Sequence, residues 1–515
     1  MNHLTRRPCP PAAERIVHRP LEAARCALAG LALLAAPAGA GVLTVPGDFP
    51  TIQGALDAAV AGDVVEVSGG VYHEKIVFPR SGAPGQPITL RAAAGESPVL
   101  DGTGVAGDHM VLIDSQSHLR LSGFEITRNL AVSDGSGVRI RGAGTDLEIR
   151  DNVIHEIRGE DAMGITVYGT EPQPIADLVI AGNQIFDCDP ARSEALTLNG
   201  NVDGFEITGN LVRDVNNIGI DMIGGETDIQ PDPMLVARNG LVRANTVIHA
   251  NSIYEGGYAG GIYVDGGRDI TIENNVVALS DLGIEIGAEN SGLLTSGVVV
   301  RNNVVYLNER AGLVFGGFEA AAGRANDNEF RGNTLYGNNT VGESGQGTHF
   351  PGGGVAEIWV QFAENNVIEN NLVFAGPENV FVGSYDPGSS VGNAFDHNLY
   401  WSEAGVEMGE FSWNGTFYEG FSAWRAATGQ DAASIAADPL LADPAAADFH
   451  LRSASAAVDA GNPDYLPAAG ETDLDGEPRL ADSAVEIGAD ELAAGRIFAD
   501  GFESGDVSAW ASASP

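Results

Sequence analysis

The stretches ITIENNVV (270–277) and VVVRNNVV (298–305) repeat one pattern, in which apolar residues alternate with other residues before a fixed Asn. Alternation with a period of two predicts short strands, and Gly or Asn between strands predicts turns. Further copies are LEIRDNVI (147–154), LVIAGNQI (178–185) and FEITGNLV (205–212), and weaker ones are GLVRANTV (240–247), NEFRGNTL (328–335), NVIENNLV (366–373) and NAFDHNLY (393–400). The aligned asparagines, spaced 27 to 38 residues apart, are Asn152, Asn183, Asn210, Asn245, Asn275, Asn303, Asn333, Asn371 and Asn398.

This spacing indicates one supersecondary unit per repeat. One coil cannot bury its apolar residues alone, but stacking coils about 4.8 Å apart pairs each strand with the strands above and below it. We therefore predict an all-β fold, a right-handed parallel β-helix. At a tight turn Asn can adopt a left-handed backbone conformation and bond to the Asn of the next coil, so we expect a structural ladder without chemistry.

A second strand lies between the Asn turns, for example GIDM (219–222), GIYV (261–264) and GIEI (283–286). We expect its second and fourth residues to face the core and its third to be exposed, because side chains alternate across a strand. The outward row then reads Arg139, Thr166, Thr197, Asp221, Tyr263, Glu285 and Val314.

The N-terminal residues predict export and a cap. Basic residues up to Arg25, the short apolar run 27–36 and the small residues 38–40 are typical of a signal peptide spanning 1–40. We expect a secreted protein, extracellular or at the cell surface. TIQGALDAAVAGDVVEV (51–67) predicts a short helix with Thr51 at its N-cap, which would cover the open end of the solenoid, followed by a strand. A capped solenoid has no need to associate, so we expect a monomer.

The composition restricts the partners. The chain has 27 Lys and Arg against 70 Asp and Glu, a net charge of −43, which repels phosphate backbones and argues against nucleic acid. Beyond the signal, no apolar run is long enough to predict membrane insertion. The acidic surplus fits a secreted protein, and it also fits binding of Ca²⁺ through oxygen ligands, so no cofactor is required and calcium stays an open alternative. Cys188 is the only cysteine after the signal, which excludes an intramolecular disulfide.

The acids of the outward row are candidate catalytic residues. Asp221, Asp265 and Glu285 would lie on one face, with Asp221 and Glu285 two coils apart, about 9.6 Å at the backbone. Two carboxyl groups across a groove suit glycosidic cleavage, one protonating the leaving oxygen and the other activating water or attacking the sugar. The candidate substrate-binding residues are Glu194, Tyr263, Tyr254, Tyr258, Arg268, Glu357 and Trp359.

Two other functions remain open. A polysaccharide lyase removes a proton beside a uronic carboxylate, and an acidic groove would accept a uronate only if calcium bridged the two. A non-catalytic glycan binder or adhesin would use the same face without cutting. We rank hydrolysis of an extracellular polysaccharide first. The sugar and the linkage are not encoded in these motifs.

The chain resembles the pectate-lyase-like superfamily of right-handed parallel β-helices, through TIQGALDAAVAGDVVEVSGGVYHEKI (51–76) and the Asn repeats, over about 43–492. The resemblance implies a β-helix over 41–435. The sequence lacks the NTD, DD, GHG and RIK motifs of polygalacturonases and the DPHE motif of mannuronan epimerases. The segment 436–492, with DLDGEPR (473–479) and VEIGADE (485–491), resembles choice-of-anchor Q-type terminal regions, and the tail 493–515 resembles a sorting signal.

Overall fold

The computed structural model describes residues 40–190, 192–254, 257–343, 354–481 and 483–492. The predicted signal peptide, except Ala40, and the predicted C-terminal tail lie outside the described residues. Among the helices that are described, none is long and apolar enough to cross a membrane.

Three sheets of 13 strands each run along the described chain, and consecutive coils contribute neighbouring strands to each sheet. Strands of sheet 1 are Val42–Val45, Val64–Val67, Ile88–Ala92, Leu119–Ser122, Gly144–Arg150, Ile175–Ala181, Val202–Thr208, Arg238–Arg243, Arg268–Glu273, Val299–Arg301, Glu329–Arg331, Val367–Glu369 and Ala394–Asp396. Strands of sheet 2 are Ile76–Val77, His109–Asp114, Gly135–Arg141, Ala162–Gly169, Glu194–Gly200, Ile218–Ile223, Gly260–Asp265, Leu282–Gly287, Ala311–Gly316, Ala356–Gln361, Val380–Gly383, Glu410–Trp413 and Thr416–Glu419.

Sheet 3 completes each coil, and a short fourth sheet is added in the later coils. Strands of sheet 3 are Gly70–Tyr72, Pro98–Asp101, Glu125–Val132, Val153–Gly159, Gln184–Phe186, Leu211–Val215, Thr246–Ala250, Val276–Ala278, Val304–Tyr306, Thr334–Tyr336, Leu372–Phe374, Leu399–Trp401 and Ile435–Ala436. Strands of sheet 4 are Leu294–Thr295, Arg324–Asn326, Ala363–Glu364 and Ser390–Val391. Pairing is parallel throughout these sheets except at the final pair of sheet 2, Glu410–Trp413 with Thr416–Glu419. The predicted all-β parallel β-helix is confirmed.

The predicted Asn ladder is present. The side-chain amide nitrogen of each ladder Asn donates to the side-chain oxygen of the next, from Asn152 to Asn398, at 2.9–3.1 Å. The same oxygen also accepts from the backbone amide of the preceding ladder Asn, for example Asn275 Oδ1 from Asn245 N at 2.9 Å. The ladder thereby satisfies polar groups inside the corner of the coil, where an unpaired group would cost about 1–3 kcal/mol.

The left-handed conformation belongs to the residue before each ladder Asn, which corrects our expectation. Asp151 has φ 55°, Asn274 φ 54° and Gly209 φ 64°, whereas the ladder asparagines themselves are not among the described residues with positive φ. The corner needs one left-handed residue, where Gly, Asn and Asp are tolerated best. The next residue is then free to turn its amide inward.

The core lies between the sheets. Inward rows such as Ile180, Ile207, Val242, Ile272 and Val300 are fully buried, and burying each such side chain contributes about 1.5–3 kcal/mol. The helix Ile52–Ala58 packs on the first strands, with Thr51 Oγ1 accepting from Gly54 N at 3.2 Å, as the N-cap prediction requires. The 3-10 helix Val406–Met408 and a second α-helix, Phe421–Thr428, lie between the last strands of the coils, and the 3-10 helix Pro444–Ala446 follows them.

The segment after residue 436 folds back onto sheet 3. Its antiparallel strands Leu441–Asp443 and Asp448–Leu451 form a pair, and Phe449 packs 4.9 Å from the ring of Tyr306. Buried ion pairs fix the segment: Glu471 bonds Arg301 at 2.8 Å, and Arg479 bonds Glu491 at 2.8 Å.

Candidate functional site

The outward row of sheet 2 has the predicted register. Asp221 pairs with Tyr263, and Tyr263 pairs with Glu285 on the next coil. The row continues from Glu285 to Val314 and Trp359. Residues more than 20 positions apart in the chain are thus vertical neighbours, because each coil returns to the same sheet.

The row is not exposed, which corrects the prediction for its acids. Asp221 is 1% exposed and Asp265 is 5% exposed, and Glu194 is also buried. Loops follow these strands, and in them Val236, Ala288 and Leu293 form a separate buried apolar cluster. Loops that cross back over a strand bury outward side chains that the strand alone would leave in water.

Glu194, Asp221, Asp265, Glu285 and Glu289 form an acid cluster, and each has a raised pKa. Burial raises the pKa of Glu285 to about 8, and the charge of Glu289 adds to it. Burial and the charge of Glu194, then that of Asp265, raise the pKa of Asp221 well above its usual range. Burial likewise raises the pKa of Glu194 to about 8, and the pKa values of Asp265 and Glu289 rise for the same first reason. Carboxyl groups crowded in a poorly solvated site ionise reluctantly.

Glu289 is the acid that the sequence patterns missed. It follows the strand Leu282–Gly287, and its backbone amide donates to Asp265 Oδ1 at 2.7 Å. Glu289 is more exposed than Asp221 and Asp265, although its carboxyl lies close enough to the cluster for burial to raise its pKa. The sequence signal that could have identified Glu289 is its position four residues after Glu285, in GIEIGAEN (283–290). That signal was insufficient because the path of the loop depends on contacts with distant coils.

A pocket of about 340 Å³ opens beside the cluster. Glu285 and Glu289 line it, while Asp221, Asp265 and Glu194 lie outside its lining. Its other lining residues are Ile218, Tyr254, Gly257, Tyr258, Tyr263, Leu282, Val314, Phe315, Gly316, Gly317, Phe318, Trp359 and Gln361. Two carboxyl groups therefore face an aromatic cavity, in which apolar walls and a few polar groups suit a small ligand or a sugar unit.

The predicted aromatic residues meet at this pocket. Tyr254 is 40% exposed, whereas Tyr263 and Trp359 are 5% and 4% exposed. Trp359 Nε1 is buried without a hydrogen-bond partner among the described residues. Tyr258 carries the guanidinium of Arg310 over its ring at 4.2 Å, and Arg310 also lies 3.5 Å from Glu343.

Two predicted substrate-binding residues lie elsewhere. Arg268 belongs to sheet 1, where it pairs with Arg238, because Gly266 and Gly267 turn the chain out of sheet 2 before it. Glu357 is fully buried and accepts from Asn338 Nδ2 at 2.7 Å. Burial raises the pKa of Glu357 to about 8. Its side chain therefore faces a second interior ladder, Asn308 to Asn338, and not the pocket.

Within the described residues, no three ligand atoms of the acid cluster lie within 4.8 Å of one another. Among the described residues, only His450, Asp475 and Asp490 bring three ligand atoms within 4.8 Å of one another. These three lie in the segment after residue 436, away from the pocket lining. Ca²⁺ prefers six to eight oxygen ligands at about 2.3–2.6 Å, so the cluster would have to contract to hold it.

Two family models and one curated protein are similar to this chain. The model for the Pel9A-like right-handed β-helix region matches residues 36–218, and the model for the right-handed β-helix region matches residues 195–353. The uncharacterized protein YwoF of Bacillus subtilis (strain 168) is 36% identical over 419 residues, covering 78% of this chain and 86% of YwoF.

Three solved structures are among those to which this chain is similar. Pectate lyase Pel9A is 14% identical with a TM-score of 0.45, covering 88% of this chain and 96% of that one. PfbA, a surface adhesin of Streptococcus pneumoniae, is 13% identical with a TM-score of 0.48, covering 70% and 91%. The GH136 lacto-N-biosidase of Eubacterium ramulus is 15% identical with a TM-score of 0.47, covering 67% and 62%. These likenesses carry no statement about the substrate or the activity of this chain.

Proposed function

Because the chain belongs to the right-handed β-helix family that includes YwoF, we propose that it is an exported protein that cleaves glycosidic bonds of an extracellular polysaccharide with the carboxyl groups of its pocket. The observation that carries the proposal is the pairing of Glu285 and Glu289 in one aromatic-lined cavity. The basic and apolar N-terminal residues support export.

Glu285 is the proposed acid. Because burial raises the pKa of its carboxyl to about 8, Glu285 is protonated at neutral pH and can donate to a leaving glycosidic oxygen. A carboxylic acid in an ordinary surface position would already be ionised at that pH.

Glu289 is the proposed base. Because Glu289 is more exposed than Glu285, water stabilises its ionised form better, so we expect Glu289 to lose its proton first of the two. The ionised carboxylate can activate water or attack the sugar. Asp265 acts as a positioning residue, because its carboxyl oxygen holds the backbone amide of Glu289. Tyr254, Tyr258 and Trp359 offer rings on which a sugar can stack.

The test is incubation of the mature chain with neutral, amino-substituted and uronic polysaccharides, with and without EDTA. New reducing ends without new ultraviolet absorbance support hydrolysis. Absorbance of an unsaturated uronate that EDTA abolishes would identify a calcium-assisted lyase, and binding without either product would identify a glycan binder. Glu285→Gln and Glu289→Gln should abolish cleavage. Glu206→Gln, an exposed acid on sheet 1, is the matched control and should leave cleavage unchanged.

A further inference from the structure

A histidine and two carboxyl groups meet in the segment that covers sheet 3, away from the pocket. His450 lies in the strand Asp448–Leu451, Asp475 in the turn 472–478, and Asp490 near the end of the described chain. One ligand atom from each of the three lies within 4.8 Å of the other two. Because Zn²⁺ binds nitrogen and oxygen at about 2.0–2.2 Å, two ligands of one ion lie about 3–4 Å apart, which this spacing accommodates.

The two nitrogens of the His450 ring have different partners. Nδ1 lies 2.5 Å from Asp448 Oδ1, and Nε2 lies 2.9 Å from Asp475 Oδ2. A histidine that binds a metal almost always donates its other ring N–H to a carboxylate or a carbonyl, which fixes its tautomer and the direction of its ring. When Nδ1–H donates to Asp448, Nε2 and the Asp475 carboxylate are both acceptors, so a proton or a cation must lie between them.

Asp490 supplies a second observation, which a proton does not explain. The residue is 3% exposed, and its Oδ2 accepts from Leu451 N at 2.7 Å. Its Oδ1 has no hydrogen-bond donor among the described residues, and no Arg or Lys there forms an ion pair with Asp490. Buried carboxylates are normally paired with a cation or coordinate a metal. A proton on Nε2 joins His450 to Asp475 alone, whereas one cation contacts all three side chains.

We infer that His450 Nε2 and one carboxyl oxygen each of Asp475 and Asp490 bind a Zn²⁺ ion. Imidazole is a ligand that suits Zn²⁺, whereas Ca²⁺ takes six to eight oxygen ligands. Three protein ligands leave a fourth position of the tetrahedron for water. A cavity of about 170 Å³, which His450, Phe449 and Leu474 line together with residues of sheet 3, gives that water room.

The ion holds the segment together and takes no part in the pocket of sheet 2. Its three ligands come from a strand, a turn and the last described residues, which are far apart in the chain. Cys188 is the only cysteine after residue 40, so no disulfide within that part of the chain can form such a link. A ligand that binds only the folded state stabilises it, and the site exists only when the segment is folded.

The experiment is calorimetric titration of the mature chain with Zn²⁺ at pH 7.5, after removal of metals with EDTA and without a polyhistidine tag. An excess of Ca²⁺ in the buffer occupies acids of the surface that bind cations through oxygen alone. We expect one Zn²⁺ per chain. Asp475→Asn changes an exposed side chain, so it should fold normally and weaken Zn²⁺ binding at least about tenfold. His249→Gln is the matched control and should leave binding unchanged, because His249 contacts a single acid, Asp214, at 3.0 Å.

Hydrogen exchange locates the ion. Zn²⁺ should slow exchange in Asp448–Leu451 and in the turn 472–478, and it should leave the sheet 2 strand Gly260–Asp265 unchanged. Tm should rise by several degrees with Zn²⁺, and EDTA should reverse the rise and return the segment to the state in which a proton joins His450 to Asp475.

Three results would overturn the inference: the absence of a saturable Zn²⁺ equivalent, equal Zn²⁺ affinity in Asp475→Asn and the unaltered chain, or protection of amides outside the segment alone. Ca²⁺ titrated without Zn²⁺ is a further probe, and Ca²⁺ binding that Asp475→Asn abolishes would assign the three residues to calcium and overturn it too. None of these results depends on glycan cleavage, so the hydrolase and the metal site stand or fall separately.

Discussion

Asp265 holds the loop that carries Glu289: its Oδ1 atom accepts a 2.7 Å hydrogen bond from the backbone amide of Glu289. Asp265 ends a strand of sheet 2, whereas Glu289 lies beyond the end of the following strand, so the bond links two coils. The buried residue thereby fixes one side of the pocket. A buried carboxyl group that does not contact the ligand can still determine the position of a more exposed carboxyl group.

This bond predicts different effects for two substitutions of Asp265. Asp265→Ala removes the acceptor and releases Glu289, so we expect kcat for glycan cleavage to fall about tenfold to a hundredfold with little change in KM. Asp265→Asn keeps a side-chain oxygen at the same position and should retain most of the activity. Steady-state kinetics of both variants checks this. Equal losses in the two variants would show that the charge of Asp265 matters rather than its hydrogen bond.

The raised pKa of Glu285 predicts a stability gain when its charge is removed. In the folded protein the pKa is about 8, and in the unfolded chain it returns to the usual value near 4.3, so the folded state binds more protons between these values. Stability must therefore fall as pH rises through that window. Glu285→Gln should leave stability nearly unchanged at pH 4 and raise it by on the order of 2 kcal/mol at pH 9. Denaturant unfolding at both pH values measures this, with Glu206→Gln as the control, and an equal gain at both pH values would contradict it.

The Asn ladder predicts a sharp contrast between two neighbouring positions. Asn183 is fully buried and bonds Asn152 and Asn210, whereas the next residue, Gln184, is exposed. Asn183→Ala leaves backbone and amide groups unpaired inside a corner and should cost about 2–4 kcal/mol. Gln184→Ala removes an amide from water and should change stability by less than about 0.5 kcal/mol. Denaturant unfolding of the two variants is the measurement, and similar losses would show that the ladder contributes little.

The register of the site followed from the sequence because two short-range rules determine it. Alternation gives the face of each residue, and the Asn spacing gives its coil, so the amino-acid sequence alone is enough to align Asp221, Tyr263 and Glu285. Both rules act within a few residues. They say nothing about what covers the strand from outside.

The burial of the site could not be predicted, because it depends on loops that contact distant coils. Gln230 donates to Gly169 O at 3.0 Å, 61 residues earlier in the chain, and Leu293 packs where Gly266 leaves space. No periodicity encodes such contacts. The same cause hid Glu289, whose position is fixed by Asp265 in the previous coil.

The prediction that Glu357 binds substrate placed its side chain on the wrong face, although the sequence contained a signal against that placement. The equivalent residue of the previous coil is Gly312, where a Cβ atom would meet Asn338 Nδ2 at 2.7 Å. Gly219, Gly261 and Gly283 are the second residues of the equivalent strands in earlier coils, and this shared glycine marks a position that faces the interior corner. Alternation fails there because the chain is turning into the strand.

His450 predicts a pH dependence for the segment that covers sheet 3. Its ring nitrogens contact Asp448 at 2.5 Å and Asp475 at 2.9 Å. Burial disfavours the charged ring, but the hydrogen bond to Asp448 and the charges of Asp490 and Asp475 outweigh it and raise the pKa to about 8. Because this value exceeds the unfolded value near 6.5, the stabilisation is complete below about pH 6.5 and is lost as pH rises through 8.

His450→Gln should therefore lower Tm by a few degrees at pH 6 and by much less at pH 9. His73→Gln, at an exposed histidine 3.9 Å from Asp101, is the control. Thermal unfolding at the two pH values decides the matter, since a loss of equal size at both would mean that packing of the ring, and not its charge, stabilises the segment.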